Sequence, residues 1–545
     1  MYVGDKNSIN LTSSKFANFI ENNCLYVDKT AFIEHVLRDT SDVLLFTRPR
    51  RMGKSLNMNT LATFLDCKRD TARLFRGLHI EGCPEFGQVN SHPVVYLDFV
   101  TLDSSNLVGL RQSFRMQILG HIEKLLDLDN AGMIIRDYIN GPDNHSPNIL
   151  SSLLEAIKKH YQKEPYLIID EYDKVIMDTL NHREGDEIKA FVVNALQSAL
   201  KGETHFKKAV LTGVTRTTKE SLFSTLNNIE VYDILTPSVY DTDFSLTEGE
   251  LLELVPKKDI AGVRNWYNNM RVGDAWLYNI YSVMNYLSKP RQGLRGYWSM
   301  SGGGNLLSSL WTEPRAEAIK TMLSDDTYRH ATVLDHHLNM EHLRDVSRCD
   351  DKTFYTLGVQ AGYLTFEPLG GDVYRVFIPN VEAKQVWARL LLDYRYKGDD
   401  SKLAAIFAGI GNVDTFSRQL TDFVSMVLSY NDFKESAEWV YHVFFLGLVY
   451  SSLGYECKSN LEAGLGRFDI ALKAPRFAAV IEFKVAKGED DKAMQAGVKE
   501  ALSQIDEKEY WREFRNSAVP VYKIGISCYG KKCLAGTVLH KNPGG

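Results

Sequence analysis

The run Asp42-Val43-Leu44-Leu45-Phe46-Thr47-Arg48-Pro49-Arg50-Arg51-Met52-Gly53-Lys54-Ser55-Leu56-Asn57 changes character twice. Val43 to Phe46 is apolar and short enough for a buried strand. Pro49 and Gly53 mark a turn, after which Leu56, Met58, Leu61, Phe64 and Leu65 recur at helical spacing. Strand, glycine-bearing loop, Lys-Ser and helix is the layout of a phosphate-binding P-loop. The physics suits an anion, because N–H groups at a helix N-terminus are unpaired and the helix dipole favours negative charge there. Lys54 would neutralise the β/γ-phosphates, and the Ser55 hydroxyl would hold Mg²⁺. The standard pattern has glycine six residues before the lysine; Arg48 stands there instead.

At 545 residues the chain exceeds what one hydrophobic core supports, so several domains are expected. A net charge of -6 excludes a globally basic nucleic-acid coat but leaves room for a local basic groove. The seven cysteines are scattered and none forms Cys-x-x-Cys, which suggests neither a zinc site nor a disulfide framework. The N-terminus has no apolar signal core, and the stretch Val440 to Leu453 is too short to span a bilayer. A cytoplasmic protein with no membrane partner is the expectation.

Two further strands follow in the nucleotide half. Pro93-Val-Val-Tyr-Leu-Asp-Phe99 is one, followed by helical regions near 106–127 and 147–162. Pro165-Tyr-Leu-Ile-Ile-Asp-Glu-Tyr-Asp173 is the other: an apolar run ending in Asp-Glu, the Walker B arrangement. Its carboxylates fall at the sheet's C-terminal edge, where the phosphates also lie. Asp170 would hold Mg²⁺ through water, and Glu171 would polarise the attacking water. A later strand, Lys208 to Thr215, carries Thr212 and leads to Arg216. Thr212 is placed to sense the γ-phosphate; Arg216 reads equally as a sensor or finger arginine and as a solvated loop residue.

Tyr26-Val-Asp-Lys-Thr30, Thr47-Arg-Pro-Arg-Arg-Met-Gly-Lys-Ser55, Ile169-Asp-Glu-Tyr-Asp173, Leu211-Thr-Gly-Val-Thr-Arg216 and Leu222-Phe-Ser-Thr-Leu-Asn-Asn228 follow one another in the order of the AAA-ATPase-like family. The resemblance covers about residues 10–300. That family has Arg-Pro-Arg-Arg-x-Gly-Lys-Ser/Thr, so Arg48 matches its pattern. The resemblance implies an ATP-binding α/β domain in which Arg50, Arg51, Met52, Gly53, Lys54, Ser55 and Leu56 contact the nucleotide. Sites of this kind are often completed by a neighbouring subunit, which makes a homo-oligomer a candidate assembly.

The expected domains are an ATPase-like P-loop domain over 1–235, a helical lid over 236–305, a middle module over 306–398 and a last domain over 399–545. Trp276-Leu-Tyr-Asn-Ile-Tyr-Ser282 with Tyr297-Trp298 is aromatic-rich. Both a packed helical subdomain and a base-stacking platform fit; the admixture of Leu and Ile rather than Lys and Arg favours packing. Ser301-Gly-Gly-Gly-Asn305 reads as a flexible break. Helical spans and a hairpin over 362–379 then look like a winged-helix-type module, by fold analogy.

In the last domain, Glu438 to Val449 reads as an amphipathic helix. Arg467 to Leu472, Phe477 to Val485 and Val521 to Ser527 read as strands, with a helix near 490–507. Strand alternation puts Glu482 and Lys484 on one face, and a buried strand seldom carries two ionised groups there without a partner. A metal held by Asp469 and Glu482 would resolve that cost, and oxygen ligands suit Mg²⁺ or Mn²⁺. Glu438-x-x-Tyr-His442, Asp469, Ile481-Glu-Phe-Lys484 and Gln504-Ile505 stand in the order of the PD-(D/E)XK nuclease superfamily, which this region resembles from about 433 to 530. The resemblance implies an αβββαβ restriction-endonuclease-like fold. It makes Asp469 and Glu482 metal ligands, Lys484 the catalytic lysine, Glu438 the helix carboxylate and Gln504 an orienting amide. Phe468 stands where the namesake proline would be. A structural Asp469–Lys484 salt bridge in an inactive fold is the alternative.

Together these readings predict an α/β multidomain protein that binds ATP and hydrolyses phosphodiester bonds of nucleic acid, DNA first, in defence or mobile-element processing by analogy. The alternative is an ATP-switched scaffold whose nuclease fold only binds nucleic acid or protein.

Overall fold

The structure is a computed structural model that describes residues 2–126, 148–201, 205–216, 228–268, 270–298, 305–324, 327–396, 406, 409–410, 412–427, 456–459, 462–463, 466–467, 469–474, 476–515, 517–530 and 532–540. Four sequence features lie outside them: Glu438 with its expected helix, the pattern segment 222–227, the glycine run 301–304, and Phe468.

Five parallel strands organise the first half: β1 (Val43–Thr47), β2 (Val94–Asp98), β3 (Tyr166–Asp170), β4 (Lys208–Gly213) and β5 (Ile229–Tyr232). Their spatial order is β2-β3-β4-β1-β5. Every residue of β1, β3 and β4 is buried, as a parallel sheet covered on both faces requires. One face packs on α1 (Ala31–Arg38) and α2 (Lys54–Leu65) through Phe32, Ile33, Met58, Leu61 and Phe64. The other packs on α3 (Leu107–Leu125), α4 (Ile149–Tyr161) and α5 (Gly185–Leu200). The P-loop strand β1 is flanked by β4 and β5, and the loop after it opens at the sheet's C-terminal edge.

Most of the aromatic cluster is packed: Tyr278, Tyr297 and Trp298 are buried, and Trp298 lies 4.8 Å from the Tyr363 ring, whereas Trp276 is exposed. Tyr281 belongs to α6 (Ile280–Ser288), which Asn279 caps by accepting from Ser282 N. Beyond it, helix Glu313–Ser324, strand His330–Val333, helices Met340–Arg344 and Asp351–Gln360, and strands Thr365–Gly370 and Val373–Phe377 follow in winged-helix order. The last strand lies between the other two. Thr353 to Gln360 are all buried, so the helix that would enter a DNA groove in that fold is here a core helix.

The C-terminal sheet comprises β6 (Glu456–Ser459), β7 (Ile470–Lys473), β8 (Ala478–Val485), β9 (Val521–Tyr529) and β10 (Lys532–His540), in that spatial order. β8 and β9 run parallel and the other pairs antiparallel. The parallel pair needs a crossover, which α7 (Asp491–Glu507) supplies, capped by Asp490 accepting from Ala493 N. The described order of three strands, helix and strand matches the expected core, extended by β10 as a further edge strand. Asp469 stands one residue before β7 rather than within it.

Candidate nucleotide and metal sites

Two sites lie at the ends of these sheets. In the first, Gly53 caps α2 at φ +87°, a left-handed conformation that glycine adopts without strain. Arg51 at +65° and Glu171 at +52° are also left-handed, and each holds a strained backbone costing about 1 kcal/mol or more. All three line one cavity of about 770 Å³, together with Arg50, Met52, Lys54, Ser55, Leu56 and Asp170. The predicted loop thus converges with the Walker B carboxylates.

Lys54 is buried, and its Nζ donates to the carbonyls of Arg48 and Pro49 at 3.1 Å each. It also pairs with Glu171 Oε1 at 3.1 Å. Asp170, paired in register with Asp98 across β2 and β3, accepts from Thr212 Oγ1 at 2.5 Å and Tyr96 OH at 3.3 Å. Burial, with Asp170 and Glu171 close by, pushes the Asp98 carboxyl up. A carboxylate corner of Asp98, Asp170 and Glu171 therefore faces a cationic loop, an arrangement that can hold a divalent cation beside phosphates. Asp173 anchors the Walker B turn instead. It accepts from Val214 N, Thr215 N and Thr215 Oγ1, and burial pushes its carboxyl up.

Two predicted residues, and Arg48 of the loop, sit differently from the rest. Thr212 is fully buried and reaches the cavity only through Asp170. Arg216 is not among the cavity-lining residues; its guanidinium lies 3.6 Å from Asp233, which also holds His336 of the winged-helix segment at 2.7 Å. Arg48 turns beneath the loop, fully buried, and donates to Tyr232 O at 2.7 Å and Thr47 O at 3.0 Å. Burial lowers its guanidinium to about 10, still charged at neutral pH.

Sequence reasoning missed the cavity's other wall. Ile280, Tyr281 and Met284 of α6 line it, and the Arg51 guanidinium lies 4.6 Å from the Tyr281 ring centre. The same three residues pack against a hydrophobic cluster whose members include Ile406, Ile410 and Phe416 and, in the C-terminal sheet, Ile470, Ile481 and Ile526. The aromatic run 276–282 marks the start of α6 in the sequence, but its place on the cavity wall depends on which fold neighbours it meets.

In the second site Glu482 is buried in the middle of β8, and its Oε1 lies 3.6 Å from Lys484 Nζ. Gln504 Nε2, from α7, also donates to Glu482 Oε1. The Asp469 Oδ2 accepts from Phe483 N at 2.9 Å, and Asp469 N lies 3.4 Å from Glu482 Oε2. Lys484 therefore pairs with Glu482, not with Asp469. Two carboxylates meeting at a strand bend form an all-oxygen donor set that fits Mg²⁺ or Mn²⁺. Tyr510, unmarked in the sequence reading, is buried with its hydroxyl 3.4 Å from Gln504 Nε2.

Residues 11–223 match the family model described as a predicted AAA-ATPase, and residues 436–537 match that of the PD-(D/E)XK nuclease superfamily. The chain thus joins an AAA-ATPase-like domain to a C-terminal domain of the PD-(D/E)XK nuclease superfamily. It is also similar to an uncharacterized protein in the vnfD 5′ region of Azotobacter chroococcum mcd 1, with 26% identity over 529 residues covering 92% of each chain. Among the described residues no helix is long and apolar enough to cross a membrane.

Proposed function

We propose that the protein is an ATP-gated, metal-dependent nuclease acting on DNA in the cytoplasm. The observation that carries this reading is the continuity between its two sites: α6 walls the nucleotide cavity and packs on the cluster that enters the nuclease sheet. Lys54 and the N–H groups at the start of α2 would bind the phosphates, with Ser55 and Asp170 on the cation. Glu171, released from Lys54 by the γ-phosphate, would orient the attacking water. Tyr281 and Met284 would shift as the cavity fills, and the packed cluster would carry that shift to β7 and β8.

In the nuclease domain Asp469 and Glu482 would hold the cation, Lys484 would orient the hydrolytic water, and Gln504 would fix the Glu482 carboxylate. Glu438, the helix carboxylate that the resemblance implies, would supply a further carboxylate. A bound Mg²⁺ or Mn²⁺ supplies Lewis-acid stabilisation of the phosphate and acidifies water. The domains 1–235, 236–305, 306–398 and 399–545 would form the moving units, with foreign or mobile DNA as the substrate.

The test incubates linear and circular DNA with the protein and Mg²⁺ or Mn²⁺, with and without ATP. Wild type, Lys54→Ala, Asp469→Ala and Lys484→Ala are compared. Cleavage lost in both C-terminal variants and altered in Lys54→Ala is the expected result. ATP turnover without cleavage of DNA or RNA would favour a nucleotide-switched scaffold.

A further inference from the structure

Away from both sites, three side chains of unlike chemistry converge. Glu34 lies on α1, His79 opens the short helical turn His79–Gly82, and Cys83 is the residue between that turn and the next, Pro84–Gln88. Glu34 Oε2, His79 Nε2 and Cys83 Sγ all lie within 4.8 Å of one another. His79 Nε2 is 2.5 Å from Glu34 Oε2, and Cys83 Sγ is 3.4 Å from Glu34 Oε2 and 3.5 Å from His79 Nε2.

This is not the geometry of an activated nucleophile. A relay would use one imidazole nitrogen for the thiol and the other for the carboxylate. Here the same Nε2 faces both, so the three donor atoms point at one place. Zinc bonds of about 2.0 Å to nitrogen and 2.3 Å to sulfur, at a tetrahedral angle, put those ligand atoms about 3.5 Å apart. The separations involving Cys83 already match; only the His79–Glu34 hydrogen bond must open, by under an ångström.

The surroundings hold these ligands in place. Arg38 takes the other Glu34 oxygen, Oε1, at 2.5 Å, leaving Oε2 turned to the cluster. Asp28 Oδ2 accepts from His79 N at 2.7 Å, and Thr30 Oγ1 accepts from Ile80 N at 3.1 Å. Such outer contacts orient metal ligands. Cys83 N donates to Ile80 O, closing the turn that brings the thiol back over the imidazole.

We propose that Glu34, His79 and Cys83 form a zinc site with one open position, fastening the 79–83 turn to α1 beside the Tyr26-Val-Asp-Lys-Thr30 segment. Binding releases the thiol proton to solvent and takes His79 through Nε2, leaving its proton on Nδ1. The His-x-x-x-Cys spacing is visible in the sequence, but its carboxylate partner lies 45 residues upstream.

The test titrates Co²⁺, then Zn²⁺, into the full chain carrying Asp469→Ala and Glu482→Ala, which removes the nuclease carboxylates as competing ligands. The expected result is one Co²⁺ per chain with a thiolate-to-cobalt absorption band that Zn²⁺ displaces. Adding Cys83→Ser should abolish the band, and adding His79→Ala or Glu34→Gln should weaken Zn²⁺ binding at least tenfold, with circular dichroism unchanged. A protein with no thiolate band, or a band surviving Cys83→Ser, would overturn the proposal and leave a hydrogen-bonded His–Glu pair.

Discussion

Lys54 Nζ lies 3.1 Å from Glu171 Oε1, so the loop's cation and the strand-end carboxylate neutralise each other before any phosphate arrives. An entering γ-phosphate must compete with Glu171 for that ammonium. Glu171→Gln keeps the shape and removes the competing charge. Nucleotide binding should hold or tighten several-fold while ATP turnover falls by about 10²-fold or more. Lys54→Ala should lose binding itself. A fluorescent ATP analogue and a phosphate-release assay separate the two effects; unchanged turnover in Glu171→Gln would remove Glu171 from hydrolysis.

Arg48 occupies the position of a glycine in the standard loop, yet its side chain serves the sheet. It joins Thr47 O to Tyr232 O, and Asp241, Asp233 and Asp243 stabilise its charge. Arg48→Gly strands buried carbonyls and removes one of the positive charges near Asp233, Asp241 and Asp243. The expected cost is about 2–4 kcal/mol in urea denaturation, with no gain in nucleotide affinity. Arg48→Lys should recover part of the loss, because both bonds leave the single nitrogen Nη1 and an ammonium can donate both if its shorter reach allows.

Why the P-loop and the Walker B carboxylates could be placed from sequence, and Arg216 could not, has a physical reason. β1 and β3 are buried on both faces, so their apolar runs are unbroken and the residues after them must fall at the sheet edge. That geometry follows from the chain's local pattern alone. Arg216 lies three residues beyond β4, where direction is set by Asp233 from β5's end and by the winged-helix segment. The cavity role of Tyr281, which the sequence marks only as part of an aromatic run, and the role of Tyr510 were illegible for a similar reason: they come from partners far away in sequence. Glu482 and Lys484 were legible because strand alternation fixes a shared face, and their 3.6 Å approach follows from it.

Asp233 couples the ATPase sheet to His336, and the coupling has a pH signature. Its hydrogen bond to Asp233 raises the His336 imidazole above its usual 6.5; Arg216 opposes and Asp372 assists. Although burial raises the Asp233 carboxyl, the His336 bond and charge, with Thr236, bring it below its usual value. A histidine raised in the fold stabilises fully below its unfolded value and loses that contribution as pH rises through the folded one. Asp233 does the reverse, contributing above its unfolded value and losing it as pH falls. Melting temperature should therefore decline as pH rises from about 6.5. His336→Gln should flatten that decline, leaving the share due to His35, which Asp243 raises likewise. An identical pH profile in wild type and His336→Gln would show that the pair does not carry the effect.

Glu482 is 2% exposed, and Lys484 and Gln504 both contact its Oε1. A buried carboxylate held this way should exchange part of its support for a metal. Lys484→Ala removes one cation from beside it, so the variant should melt below wild type without metal and regain more on adding Mg²⁺ or Mn²⁺. At a hundredfold excess over the dissociation constant, a bound ion contributes about 2.7 kcal/mol. Asp469→Ala should abolish that metal-dependent shift, because its carboxylate is the other half of the donor set. Both variants should lose cleavage, but only Asp469→Ala should lose the thermal response. Chelation should lower wild type to its metal-free melting point. Equal metal shifts in wild type and Asp469→Ala would place the ion elsewhere.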